Sequence, residues 1–295
     1  MKQLLAKVIG MYINLLVYFS PRKAGELGFR LFCTPQGVPL KDHQRKFLDT
    51  SEKSSFFCDG KRIQVYRWGH GKKKILFLHG WQSHTFRWKN YIESLSTEEF
   101  TIYAFDAPGH GNSGGKYLNL PIYSQALETF LNLVGPVDSI VGHSLGSFTA
   151  LYTFYRLESA PAQELILTAT PGEVSEFLQF YGDFLGLSHR TEIAIRNTFK
   201  RFIDNFPEYF SASRFADKVN VRGLIIHDLG DFETPIHHAQ AVHRAWKESV
   251  LITTSGLGHN LRSATVVKHV VEFLSLSTKQ DHTQGQARTY YQSTT

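Results

Sequence analysis

From residue 54 onward the chain falls into short apolar runs separated by segments of helical spacing. Ser55–Cys58 and Arg62–Trp68 alternate apolar and polar residues around Asp59-Gly60, the pattern of a β-hairpin closed by a turn dipeptide. Ile75-Leu76-Phe77-Leu78 and Phe100–Phe105 are continuous apolar runs, as expected of parallel strands covered on both faces. Leu165–Ala169, Gly223–His227 and Val250–Thr253 repeat that character, and Val137–Val141, although it contains Asp138 and Ser139, is a short β-branched run. Between them, Phe86–Leu95, Leu120–Val134, Ile236–Trp246 and Thr265–Leu274 carry apolar positions at helical spacing. Strands alternating with helices predict an α/β fold. Its central sheet is mostly parallel, with helices on both faces and ligand sites at the strand C-termini.

Three segments depart from this rhythm. About 50 residues separate Ala169 from Gly223, far more than an ordinary connection needs. Within them, Glu173–Leu185 and Glu192–Ile203 read as aromatic-rich helices, predicting a helical lid insertion at about 171–221. The second departure is residues 1–53, an N-terminal helical segment. Leu4–Phe19 is apolar except for Lys7 and Asn14, and short for a bilayer span, which needs about 20 apolar residues. Three readings stay open for it: a helix packed on the core, a peripheral membrane contact through residues 1–19, or a signal peptide lacking a clean cleavage site. Ala24–Phe32 reads as a second short helix. The third departure is 276–295, rich in Ser, Thr, Gln and Gly, which predicts a disordered tail after a domain at 54–275.

Composition narrows the function classes. At 295 residues, 42% hydrophobic and 20% charged, the chain can bury a full core. The formal charge is +6, but its cations are scattered; Lys72-Lys73-Lys74 sits in a Gly-flanked turn, so no nucleic-acid partner is expected. Cys33 and Cys58 show neither metal-ligand spacing nor a disulfide framework, which suits a reducing compartment, hence a cytoplasmic location with membrane association as the alternative. None of the fourteen histidines falls in a His-Glu-x-x-His pattern or a Cys/His cluster, so no metal is expected.

The candidate chemistry lies at strand ends. Gly142-His143-Ser144-Leu145-Gly146 joins an apolar strand to a helix, with small residues flanking a serine on a sharp turn. A nucleophilic serine needs a base, and the base needs an orienting acid. His259 follows the last strand in Gly256-Leu257-Gly258-His259-Asn260, and Asp231 follows Leu224–His227. Asp228 is the rival acid, but it stands closer to the strand and can support a neighbouring loop. The backbone N–H groups of Trp81 and Leu145 can form an oxyanion hole. His79, Gly80 and His143 adjoin the elbow and are the candidates for lining the substrate site, with plain packing as the alternative for His143. Asp106 and His110, in Asp106-Ala107-Pro108-Gly109-His110-Gly111-Asn112-Ser113-Gly114, read as residues that brace a pocket wall.

Residues 54–275 resemble an α/β-hydrolase-fold serine hydrolase of esterase/lipase type. The resemblance rests on Leu78-His79-Gly80-Trp81, Phe105–Ser113, the elbow, Ile226–Asp231 through Pro235, and Gly256–His259, in the family's order. It implies Ser144 as nucleophile, His259 as general base and Asp231 as its orienting acid. It further implies hydrolysis of a small acyl substrate with no cofactor. Other chemistries of the same scaffold remain open: carbon–carbon bond hydrolysis, thioester cleavage, acyl transfer, or a ligand-binding receptor with incidental hydrolysis.

Overall fold

The computed structural model describes residues 2–157 and 160–280. Eight strands form one sheet: β1 Glu52–Cys58, β2 Lys61–Trp68, β3 Lys73–Leu78, β4 Phe100–Phe105, β5 Val137–His143, β6 Ala162–Thr168, β7 Arg222–Asp228 and β8 Ser249–Thr254. Their order is β1-β2-β4-β3-β5-β6-β7-β8. The β1–β2 hairpin is antiparallel and pairs antiparallel with β4; every later pairing is parallel.

The continuous apolar runs are explained by burial on both sheet faces. Successive side chains of a strand point to opposite sides. Thus Leu76, Leu78, Ile140, Leu165, Leu167 and Ile225 join Phe130, Phe148 and Trp246 in one apolar layer. Ile75, Phe77, Val141, Ile166, Leu224 and Ile226 join Trp88, Val266 and Phe273 in the other. The first layer is covered by α5 Leu120–Val134, α6 Leu145–Arg156 and α10 Ile236–Ala245, the second by α4 Lys89–Ser94 and α11 Ala264–Gln280. Central strands with no polar face cannot sit at a sheet edge, so β3, β5, β6 and β7 occupy the middle.

The expected helical insertion is present as α7 Val174–Leu185, α8 His189–Ile203 and a short α9 Ala212–Ala216. α8 begins three residues before the start read from apolar spacing, because the Ser188 side chain caps it by accepting from the Thr191 N–H. The N-terminal segment forms α1 Lys2–Phe19 and α2 Pro21–Phe32, followed by α3 Asp42–Leu48. The first two helices of this segment lie against the insertion rather than against the sheet. They pack on the insertion: Ile13, Val17 and Ala24 cluster with Ala194, and Phe29 and Cys33 with Leu178, Ile195 and Phe199. Both sheet faces are already covered by other helices, whereas α7 and α8 have apolar sides left to bury. No helix among the described residues is long and apolar enough to cross a membrane. At the other end α11 continues through Gln280, past the start expected for the tail. The rest of that expected tail, 281–295, lies outside the described residues.

Candidate active site

The parallel strands deliver four loops to one edge, and β5 and α6 meet there at Ser144. The turn is so tight that Ser144 takes φ +52° and ψ −120°, a conformation L-residues occupy only when their surroundings enforce it. Two close approaches enforce it. A Cβ on Gly142 would lie 2.6 Å from the Ser147 Cα, and one on Gly146 would lie 2.1 Å from the Leu78 carbonyl oxygen. The Ser144 N–H is held by the Thr168 carbonyl at 2.9 Å.

Ser144 Oγ lies 3.0 Å from His259 Nε2, and His259 Nδ1 lies 2.9 Å from Asp231 Oδ2. Residues 115 positions apart in sequence are thus in direct hydrogen-bond contact. Asp231 is buried. Its Oδ1 accepts from the Glu233 and Thr234 N–H groups, both at 2.9 Å, and its Oδ2 accepts from the Thr234 hydroxyl at 2.8 Å. Burial pushes the Asp231 carboxyl upward, but hydrogen bonds from His259 and Thr234 outweigh it and hold the pKa down to about 2. The acid is therefore a carboxylate at neutral pH.

Asp228 occupies the supporting place left open for it. Its Oδ2 accepts from the Thr254 hydroxyl at 2.7 Å and the Leu257 N–H at 3.0 Å, and its Oδ1 from the Gly230 N–H at 2.9 Å. It joins the acid loop to the histidine loop without touching His259. Asp106 likewise braces the wall, accepting from Thr85 N–H, Tyr66 Oη and Asn112 N–H.

The residues next to the elbow divide by what their polar atoms already do. His79 is wholly buried; its Nδ1 meets the Gly80 carbonyl at 2.8 Å and its Nε2 accepts the Ala107 N–H at 2.9 Å. Both ring nitrogens are therefore committed to backbone, and the side chain offers none to a ligand. His143 Nε2 donates to the His259 carbonyl at 2.9 Å, bracing the backbone of His259. Burial holds both imidazoles well below the usual histidine range, with neighbouring positive charge adding to the effect. Gly80 passes so close that a Cβ there would stand 2.9 Å from the Ser144 Cβ. Trp81 follows it, and neither the Trp81 nor the Leu145 N–H has a protein acceptor among the described residues. His110 Nε2 accepts the Gln82 N–H at 3.1 Å and so steadies the Trp81 loop from behind.

Sequence reasoning did not single out three residues that position this site. Thr234 touches both the acid and, at 3.2 Å, His259 Nδ1. Its signal was present in the spacing Asp231-Phe232-Glu233-Thr234, in which an aspartate turns back on N–H groups two and three residues later. His227 Nε2 meets the Thr234 carbonyl at 2.6 Å, and Arg87 Nη2 donates to the Asn260 carbonyl at 2.8 Å. No local pattern marks these two, because their partners are supplied by other loops. Elsewhere, Glu176, His237 and His238 bring ligand-type atoms within 4.8 Å of one another. His238 Nε2 is already bonded to Glu176 at 2.6 Å, which ties α7 to α10.

A serine on a strand–turn–helix elbow, hydrogen-bonded to a histidine that is hydrogen-bonded to a buried carboxylate, on a mostly parallel eight-stranded sheet, defines an α/β hydrolase fold. Residues 75–289 match the model of the alpha/beta hydrolase family, and the chain belongs to that family. It is 26% identical over 129 residues to the esterase Rv0045c of Mycobacterium tuberculosis, covering 42% of each chain. The chain spans less than half the length of the curated relatives it matches. Among solved structures it is similar to Est1E of Butyrivibrio proteoclasticus with bound ferulic acid, at TM-score 0.64 and 19% identity, over 76% of this chain and 99% of that one. A membrane phospholipase A described as a bacterial virulence factor superposes over 94% of this chain and 99% of its own, at TM-score 0.62 and 17% identity. At these identities the structural likeness concerns the fold.

Proposed function

We propose that this hydrolase cleaves a carboxylic ester, or a related acyl bond, of a small apolar substrate through an acyl-enzyme on Ser144. The observation that carries the reading is the unbroken chain Asp231–His259–Ser144, at 2.9 and 3.0 Å. Ser144 Oγ attacks the carbonyl carbon while its proton passes to His259 Nε2. The ionised Asp231 stabilises the imidazolium and keeps Nδ1 as the protonated nitrogen. Negative charge developing on the carbonyl oxygen is met by the N–H groups of Trp81 and Leu145. The imidazolium then protonates the departing alcohol, and the ester C–O bond breaks. A water molecule deprotonated by His259 attacks the acyl-enzyme, and Nε2 returns that proton to Ser144 as the acid leaves.

Two features support an apolar, uncharged substrate. The insertion that leaves the sheet beside the elbow is rich in aromatic residues, and we assign it the role of a lid. In addition, the Glu233 carboxylate stands 3.9 Å from His259 Nε2, where it would repel an anionic acyl chain. Relatives described as an esterase and a monoacylglycerol lipase agree with ester chemistry. The test combines a fluorophosphonate probe with p-nitrophenyl esters of C2 to C12 chains. Labelling of the intact protein and its loss in Ser144→Ala are expected, with turnover of at least one neutral ester. Equal labelling of the Ser144→Ala variant would remove the nucleophile assignment. Labelling without turnover of any ester would remove the ester assignment.

A further inference from the structure

α1 is apolar on two opposite sides, and only one of them is covered. Ala6, Gly10, Ile13 and Val17 face α2, α7 and α8 and are buried. Leu4, Leu5, Val8, Met11, Tyr12, Leu15, Tyr18 and Phe19 are exposed, the last at 80%. At about 100° per residue these eight fall within an arc of roughly 140° whose centre lies opposite the buried four. A helix apolar all round is ordinarily buried all round or in contact with lipid.

The polar groups of α1 do not serve the exposed side. Lys7 Nζ donates to the Asp183 carbonyl at 2.8 Å. Asn14 donates to the Gly186 carbonyl and accepts from the Ser188 N–H and the Thr191 hydroxyl, each at 2.8 Å. These bonds set the rotation of α1 about its axis, and with that rotation the apolar arc faces outward. We infer that this arc is a docking face for a lipid bilayer with anionic headgroups, with α1 lying in the plane of the interface.

Charge and length select that occupant. Residues 1–25 contain Lys2, Lys7, Arg22 and Lys23 and no Asp or Glu, and the next residue, Glu26, is shared at 3.1 Å between Arg22 and Arg201, so the segment keeps a net positive charge. A second copy packed isologously on α1 would bring like charges together, whereas lipid phosphates would neutralise them. At about 1.5 Å per residue the 18-residue helix is about 27 Å long, and it is not apolar enough to cross a membrane, so it lies flat. Tyr12 and Tyr18 bring an apolar ring and a polar hydroxyl, the combination favoured at the headgroup level. Because α1 packs on α7 and α8, docking would bring the insertion to the lipid surface, with Phe180 and Phe184 of α7 already exposed.

The test is flotation of the full chain with vesicles of phosphatidylethanolamine and phosphatidylglycerol. It is independent of the chemistry at Ser144, since Ser144→Ala should float like the wild type. The triple variant Val8→Glu, Met11→Glu, Leu15→Glu should bind at least ten-fold more weakly, and hydrolysis of a soluble short-chain ester should be unchanged. The milder Met11→Ser, Leu15→Ser variant, with an unaltered unfolding temperature, should bind several-fold more weakly and guards against misfolding of the triple variant. Failure of the wild type to float would overturn the inference, as would undiminished binding by the Met11→Ser, Leu15→Ser variant. A dimer in sedimentation velocity that the triple variant dissolves, with no vesicle binding, would assign the stripe to a second copy instead.

Discussion

Two buried aspartates three residues apart, Asp228 and Asp231, make opposite predictions for the same substitution. In Asp231→Asn the new amide cannot match both of its neighbours. Its oxygen must stay on the side of the Glu233 and Thr234 N–H groups, where Oδ1 now accepts two bonds at 2.9 Å. Its NH2 then faces His259 Nδ1 at the position Oδ2 held, 2.9 Å away. A donor there selects the tautomer protonated on Nε2, which has no lone pair for the Ser144 proton. Loss of the tautomer and of the imidazolium's counter-charge should lower kcat by about 10⁴-fold, or ~5.5 kcal/mol of barrier. In Asp228→Asn, by contrast, no atom of the Ser144–His259 pair loses a partner. Either the Gly230 N–H or the pair Leu257 N–H and Thr254 hydroxyl does. One or two unmet, partly buried polar groups, at the low end of roughly 1–3 kcal/mol each, predict a stability loss of about 1–2 kcal/mol. Activity per folded molecule should stay within about ten-fold of wild type. The assay pairs denaturant unfolding with ester turnover and active-site titration by a fluorophosphonate. Equal catalytic losses in the two variants, or a loss below ten-fold in Asp231→Asn, would refute the assignment of the acid.

Other perturbations test the supports of the site. Thr234→Val keeps the side-chain shape but removes a hydroxyl bonded to the ionised Asp231 at 2.8 Å; kcat should fall by roughly ten-fold with KM unchanged in steady-state kinetics, reflecting ~1.5–3 kcal/mol for a bond to a charged group. Gly146→Ala places a Cβ 2.1 Å from a backbone carbonyl oxygen that cannot rotate away, so denaturant unfolding should register a loss of about 3 kcal/mol or more, together with lost labelling of Ser144. His79 and His143, held neutral by burial, bind a proton once unfolded, so the unfolded state gains protons as pH falls below about 6.5. Stability should therefore drop on acidification from pH 7 to 5, by at most about 1.4 kcal/mol per pH unit for each of the two, as read from unfolding midpoints; a flat profile would contradict their buried neutral state.

The pattern of apolar runs was sufficient for the α/β architecture, because a strand buried on both faces leaves a signature that no surface segment shares. Leu120–Val134 and Phe100–Phe105 are bounded in the structure where apolar spacing places them. The elbow was legible for a similar reason: small residues two positions either side of a serine record a local steric demand. Asp228 and Asp231 could be ranked from distance along the chain; in the structure Asp231 is hydrogen-bonded to His259, and Asp228 to Gly230, Thr254 and Leu257. What local pattern did not contain was any partner chosen by another loop. His79 looked like a ligand-facing residue, yet its ring is used by Gly80 and Ala107. Thr234, His227 and Arg87 hold the loops of Asp231 and His259 through contacts that exist only once β7, β8 and the segment after β3 come together.

The N-terminal helix divides the same way. Its apolar character, its length and its lack of carboxylates were determined by sequence alone. Which side of it remains uncovered was decided by tertiary structure. Lys7 and Asn14 must bond to the insertion, and those bonds set the rotation of α1. For Ser144 the sequence determined the strained turn, because the glycines beside it act within a few residues. The alignment of Ser144 with His259 and Asp231 had to wait for the fold, since hydrogen-bond distances between residues this far apart are set by strand register and loop bracing.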